Sequence, residues 1–205
     1  MFTVVTPAKN VERRKLFIDG KQVAREYLPG PYMVYGTPEG NDVLEKIENT
    51  LRHIEENDVN ALIIAEQVAK TDKNKYGEDI FRLSKRYLRT HDENGNELLR
   101  SWIQLDCDET STDYSISATL DQRVAYLKEQ IPFLENVAGV AQLSNKAGLP
   151  TYTKQVSLRY YVELETPMTN KQITKILSPY GDIIDKNIYT PTRQHLVQRP
   201  EVRGE

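Results

Sequence analysis

The segment Ser101-Trp102-Ile103-Gln104-Leu105-Asp106-Cys107-Asp108-Glu109 constrains this chain more than any other. It is a short apolar run that ends in two carboxylates one residue apart. Such a run reads as a buried strand, and in an extended strand residues i and i+2 project to the same side. Asp106 and Asp108 are therefore expected on one face, with Leu105 and Cys107 on the other. Two carboxylates a few ångströms apart repel each other, and one takes up a proton unless a cation lies between them. A hard divalent ion, Mg²⁺ or Mn²⁺, meets that need through oxygen ligands and keeps open positions for phosphates. Asp-x-Asp is thus a candidate centre for metal-assisted phosphoryl or nucleotidyl transfer. Acidic strand ends are also common as solvated turns, so the pattern alone leaves both readings open.

Composition bounds what such a strand can serve. A chain of 205 residues has room for one substantial domain, or for two small ones sharing a core. No apolar run approaches the roughly 18 residues that span a membrane. Residues 1–15 lack the apolar core of a signal peptide and carry Arg13, Arg14 and Lys15 instead, so a cytoplasmic protein is expected. Cys107 is the single cysteine, which excludes an internal disulfide and a cysteine-rich zinc ribbon. It reads as a small buried hydrophobe on the back of the acidic strand. With a net charge of -3, any binding of nucleic acid must use a local basic patch. The 12 tyrosines offer stacking faces for bases, or half-buried packing with the hydroxyl in water.

Along the chain, strand and helix patterns alternate. Lys15-Leu16-Phe17-Ile18 and Lys21-Gln22-Val23 flank Asp19-Gly20, the pattern of a hairpin with a two-residue turn. Tyr32-Met33-Val34-Tyr35 is a further short strand, closed by Gly36 and Pro38. Leu44, Ile47, Leu51 and Ile54 recur at helical spacing and predict an amphipathic helix over 42–56. The run Ala61-Leu62-Ile63-Ile64-Ala65 reads as a strand covered on both faces. Residues 67–77, polar and carrying Lys70, Lys73 and Lys75, read as a mobile loop, 78–88 as a short helix and 91–96 as a turn. After the acidic strand come a polar loop through Ser115, a helix over 119–130, a strand over 137–143 and a loop over 144–155. Residues 156–164 have the β-branched and aromatic content of a strand. Thr169-Asn170-Lys171-Gln172 has the form of a capping box, opening a helix to Leu177 that Pro179 and Gly181 end. The tail alternates up to Tyr189 and then turns basic, with Arg193, His195, Arg199 and Arg203. Strands and helices without a separating linker predict an α+β fold.

Several chemistries are disfavoured. No G-x-x-x-x-G-K-[ST] loop is present, which counts against a P-loop ATPase or helicase, and neither G-x-G-x-x-G after a strand nor a G-x-S-x-G elbow occurs. His53, His91 and His195 include no pair at metal-ligand spacing, which counts against a zinc hydrolase and against paired-histidine nickases.

In the order of its segments the chain resembles the archaeo-eukaryotic primase superfamily, in particular the primase-polymerase domains of phage and plasmid replication proteins. Members carry an acidic Asp-x-Asp strand, then a strand with a Ser-x-His or similar motif, then a third acidic residue. Asp106 and Asp108 match the first motif. Val156-Ser157-Leu158-Arg159-Tyr160-Tyr161-Val162-Glu163-Leu164, followed by Pro167 and the capping box, looks like the second. Asp185, ahead of Asn187-Ile188-Tyr189-Thr190-Pro191, resembles the third, with Asp182 as its substitute. The likeness covers roughly the C-terminal half, and the N-terminal half matches only loosely. The family's phosphate-contacting histidine is Arg159 here. A guanidinium can grip phosphate oxygens in bidentate fashion, but it does not exchange a proton at neutral pH.

The resemblance implies one domain over 1–205, with an N-terminal α/β subdomain (1–95) and a metal-binding subdomain (96–205). Its core would be an RNA-recognition-like sheet packed against a second α/β unit. It implies a DNA-dependent nucleotidyltransferase that makes primers on single-stranded DNA by two-metal catalysis. Asp106, Asp108 and Asp185 would be the catalytic residues and would hold Mg²⁺ or Mn²⁺. Ser157, Arg159, Arg193 and His195 would bind the nucleotide. Nucleoside triphosphates, a single-stranded DNA template and a replicative helicase are the implied partners, with no membrane. Two other classes fit the same residues. One is a catalytically impaired, primase-like protein that binds single-stranded DNA in replication, favoured by Arg159 and the acidic balance. The other is a metal-dependent nuclease using the same aspartates.

Overall fold

A strand buried on both faces needs apolar side chains pointing both ways, and Trp102-Ile103-Gln104-Leu105 nearly supplies them. The computed structural model describes residues 2–8, 16–19, 21–24, 32–36, 39–57, 62–64, 67–82, 86–108, 118–147, 149, 152, 154–185, 189, 195–196 and 201–203. In chain order the elements begin with strands β1 (Thr3–Pro7), β2 (Leu16–Ile18), β3 (Lys21–Ala24) and β4 (Tyr32–Gly36). Helix α1 (Val43–Glu56) follows, then β5 (Leu62–Ile64), β6 (Gln67–Val68), β7 (Asp72–Lys73), β8 (Asp79–Ile80) and β9 (Leu88–Arg89). The second half holds β10 (Arg100–Cys107), α2 (Leu120–Gln130), β11 (Gly139–Leu143), β12 (Leu158–Met168), α3 (Asn170–Leu177), β13 (His195–Leu196) and β14 (Glu201–Arg203). The chain is α+β, as its patterning predicts. Among the described residues no helix is long and apolar enough to cross a membrane.

The sheet that matters most is three-stranded, in the order β10-β12-β11, with both pairings antiparallel. On one face Ile103, Leu105 and Cys107 of β10 join Leu158, Tyr160 and Val162 of β12. They are buried with Leu127 of α2 and with Ile173 and Leu177 of α3. On the other face Trp102 and Tyr161 meet Ile47, Leu51 and Ile54 of α1, together with Phe2, Val4 and Ile63. Phe2 sets its ring edge-on to Trp102 at 5.8 Å between centroids, a favoured aromatic geometry. This second cluster joins residues from both sides of the 95/96 boundary. Burial of Cys107 in the first cluster agrees with its reading as a small hydrophobe.

Local signals position the helices. The Asp42 side chain accepts the Glu45 N–H at 2.8 Å and starts α1. Thr119 with Gln122, and Thr169 with Gln172, form reciprocal capping boxes at α2 and α3. Arg123 of α2 is buried and donates to the carbonyls of Ala118, Gln155 and Val156, which ties α2 to the entry of β12. A second sheet has the order β13-β5-β1-β4. The expected hairpin is present as β2 and β3, with Asp19 at φ 48 in the left-handed conformation such a turn demands.

Two expectations are overturned. Residues 67–77 carry strands instead of an uninterrupted loop, β6 pairing with β9 and β7 with β8. The helix expected over 78–88 is absent among the described residues of that span, which hold β8 and the start of β9. Phe81 exchanges two backbone hydrogen bonds with Tyr32, at 2.8 and 2.9 Å. Phe81, Tyr87 and Leu88 are buried with Val5 and Tyr32 in a third cluster. Tertiary partners for these aromatics therefore override local helix propensity. The polar loop through Ser115 lies largely outside the described residues.

Gly139 lies opposite Val162 at the start of β11. A Cβ there would stand 2.5 Å from the Tyr161 carbonyl oxygen and 2.6 Å from the Tyr160 ring. Gly139→Ala is expected to destabilise the fold by about 1–3 kcal/mol. A lower urea midpoint at unchanged m value would register it, and an unchanged midpoint would contradict this packing.

Candidate functional site

Strand alternation places Asp106 on the Trp102 face of the sheet, opposite Leu105 and Cys107. In register across the three strands, Asp106 lies beside Arg159, and Arg159 beside Gln142. The Arg159 guanidinium Nε is 3.8 Å from Asp106 Oδ1. Its Nη1 donates to Gln142 Oε1 at 3.4 Å, and Gln142 Nε2 donates to Glu55 Oε1 of α1 at 3.0 Å. Arg159 is only 4% exposed and Gln142 8%. A row of polar side chains thus runs from the acidic strand to α1 across an otherwise apolar face.

Asp108 follows the end of β10. Its Oδ1 accepts the Ser144 hydroxyl at 3.0 Å and its Oδ2 the Lys146 ammonium at 2.8 Å. Both partners come from the turn after β11, at the start of the predicted loop over 144–155. Alternation offered a partial signal: Gln142 and Ser144 stand at i and i+2 just where β11 ends. Neither Lys146 nor the Glu55–Gln142 bond has a local motif.

The third acidic residue arrives through the backbone. The Asp185 N–H donates to the Asp106 carbonyl at 2.9 Å, so the segment after α3 meets β10 on the edge that does not pair with β12. Asp182 stays in an exposed turn. Close by, the buried Tyr189 hydroxyl donates to the Gln104 carbonyl at 2.6 Å. Ser157 differs from its expected placement. β12 begins at Leu158, and Ser157 has φ 49, so strand alternation does not set its side chain on the Arg159 face. Its Oγ is sealed from solvent and has no hydrogen-bond partner among the described residues. Strained backbone of this kind is concentrated at functional sites. Arg193 lies outside the described residues. The backbone of His195 pairs with β5 in the other sheet, and its side chain is outside the described residues.

As donors, Asp106, Asp108 and Asp185 fit a hard divalent ion in chemical kind, since all offer carboxylate oxygens. Among the described residues, however, no three His, Cys, Asp or Glu side chains are gathered closely enough to hold a metal ion as they stand. Cationic side chains, Arg159 and Lys146, instead flank two of the three acids.

Compared with family models, curated proteins and solved structures, the chain finds no match.

Burial pushes the Tyr189 phenol well above its usual range, and the neighbouring Cys107, Asp106 and Asp185 add to the effect while Arg100 opposes it. Ionisation is thus suppressed in the folded state only. The stability from Tyr189 is intact below about pH 10, where the unfolded phenol is also neutral, and is lost as pH rises beyond that toward the folded value. Tyr189→Phe is expected to cost about 1 kcal/mol at neutral pH by removing the bond to Gln104. It should also make the alkaline decline in stability shallower. Urea unfolding on either side of pH 10 checks both effects; an unaltered alkaline slope would count against this assignment.

Proposed function

We propose that the protein is a DNA-dependent nucleotidyltransferase of primase or primase-polymerase type, making primers on single-stranded DNA in phage or plasmid replication. One observation carries the reading: the Asp185 N–H to Asp106 carbonyl bond, which brings a distant acidic residue beside the Asp-x-Asp strand. Asp106, Asp108 and Asp185 would hold Mg²⁺ or Mn²⁺. The bound ions would neutralise the triphosphate and ease deprotonation of the attacking 3′-hydroxyl.

The chain's own residues set the stage. Arg159, buried beside Asp106 and bonded to Gln142, would orient the Asp106 carboxylate. Its burial fits that positioning role better than direct contact with the nucleotide's phosphates. Ser157 is likewise sealed, so its contribution is to the shape of the turn that leads into β12. Template single strand and nucleoside triphosphates are the substrates of this reading, with a replicative helicase as its working partner.

A second reading has its own support. Lys146 and Arg159 already flank Asp108 and Asp106, which suits a primase-like protein that has lost catalysis and kept single-strand binding.

The test supplies a single-stranded template, Mn²⁺ and labelled nucleotides to the wild type, to Asp106→Ala/Asp108→Ala and to Asp185→Ala. Extension by the wild type and a loss of more than about a hundredfold in both variants is expected. Equal product from all three, or none from any under varied templates and metals, rejects the polymerase reading. Template binding without extension supports the second reading, and template degradation that needs the same aspartates indicates a nuclease.

A further inference from the structure

Two cations flank the acidic pair, and they differ in kind. Arg159 sits within the sheet with a side chain only 5% exposed, 3.8 Å from Asp106 on one side and donating to Gln142 on the other. Lys146 sits at the rim, where its side chain is 16% exposed and that of Asp108 32% exposed. The backbone that carries Lys146 is anchored. Ser144 N–H donates to the Ser157 carbonyl at 2.8 Å, Ala147 N–H to Ser144 at 3.0 Å and Leu149 N–H to Lys146 at 3.2 Å. Only the side chain, a flexible four-carbon stem with three rotatable donors, is then free to move. The same Nζ already lies 5.5 Å from the Tyr152 ring centroid, within range of a cation–π contact that does not depend on the Asp108 carboxylate.

We propose that Lys146 is a displaceable counter-ion for Asp108. It neutralises the carboxylate in the metal-free protein and is exchanged for a divalent cation when one binds. The inference rests on the proposed metal-dependent function and adds a means of controlling it. A divalent ion competes with Lys146 for Asp108 Oδ2, the oxygen the ammonium holds at 2.8 Å. It must also overcome repulsion from the lysine's charge while that charge stays nearby. Ser144, on Oδ1, donates a neutral hydroxyl and can keep the carboxylate oriented throughout the exchange. Arg159 cannot play this part, since it is buried and its exit would leave Asp106 without its cation. Metal occupancy should therefore respond to one rim lysine.

Titration of the intact protein with Mn²⁺ alone, followed by electron paramagnetic resonance of the free ion, tests this without any assay of catalysis. Lys146→Met is expected to bind Mn²⁺ about tenfold more tightly than the wild type, the scale of one charge-assisted hydrogen bond. Lys146→Gln should move in the same direction, and guards against a Met variant that folds poorly. Lys146→Arg, which keeps the charge, should stay near the wild type. A merely structural lysine would give equal or weaker Mn²⁺ binding in the neutral variants, and that result overturns the proposal. If the wild type binds Mn²⁺ through Asp106 and Asp108 but the neutral variants bind it no better, only the counter-ion role fails. If neither the wild type nor any variant binds Mn²⁺, the metal-dependent function fails with it.

Discussion

The pairing of Asp106 with Arg159 across β10 and β12 is the constraint around which the rest of the site is arranged. Withdrawing a carboxylate and a guanidinium from water is costly, and the mutual attraction offsets that cost only when the remaining donors and acceptors are also satisfied. Gln142 meets one of these demands from β11, and Glu55 extends the row to α1. The same sheet face is apolar at Trp102 and Tyr161, where α1 buries Ile47, Leu51 and Ile54. One face therefore does two jobs along its length. Its apolar end holds the N-terminal elements to the sheet, and its polar end presents the carboxylates.

Position along the strand decides how each acid is treated. Asp106, still inside β10, is backed by a fixed guanidinium. Asp108, just past its end, is met by an ammonium and a hydroxyl from the turn after β11. Asp185 reaches the same place through one main-chain bond to the edge of β10, and no side-chain motif delivers it. Tyr189 adds a second tie to that edge through the Gln104 carbonyl.

Much of this was legible in the residues before any fold was known. The i, i+2 rule put Leu105 and Cys107 behind Asp106, and the burial of both confirms that alternation. The spacing of Ile47, Leu51 and Ile54 marked the face of α1 that is buried. The capping boxes at Thr119 and Thr169 opened helices where their hydrogen bonds are found. The failures share a cause. Residues 78–88 read as helical, yet Phe81, Tyr87 and Leu88 are held by Val5 and Tyr32 from a distant part of the chain. Ser157 read as an ordinary strand residue, yet the left-handed turn into β12 takes it out of the alternation.

Short-range chemistry thus established which residues of β10 lie on a common strand face, where the main helices start, and that two carboxylates stand one residue apart where that strand ends. Those properties follow from backbone periodicity and from hydrogen bonds that span three or four residues. Folding in three dimensions settled which cation faces which acid, and that Asp185 comes to lie beside Asp106. Lys146 meets Asp108, and Glu55 meets Gln142, only because strands and a helix far apart in the chain are packed together. No local rule encodes such contacts, since their energy depends on a separation in space that sequence spacing does not reveal.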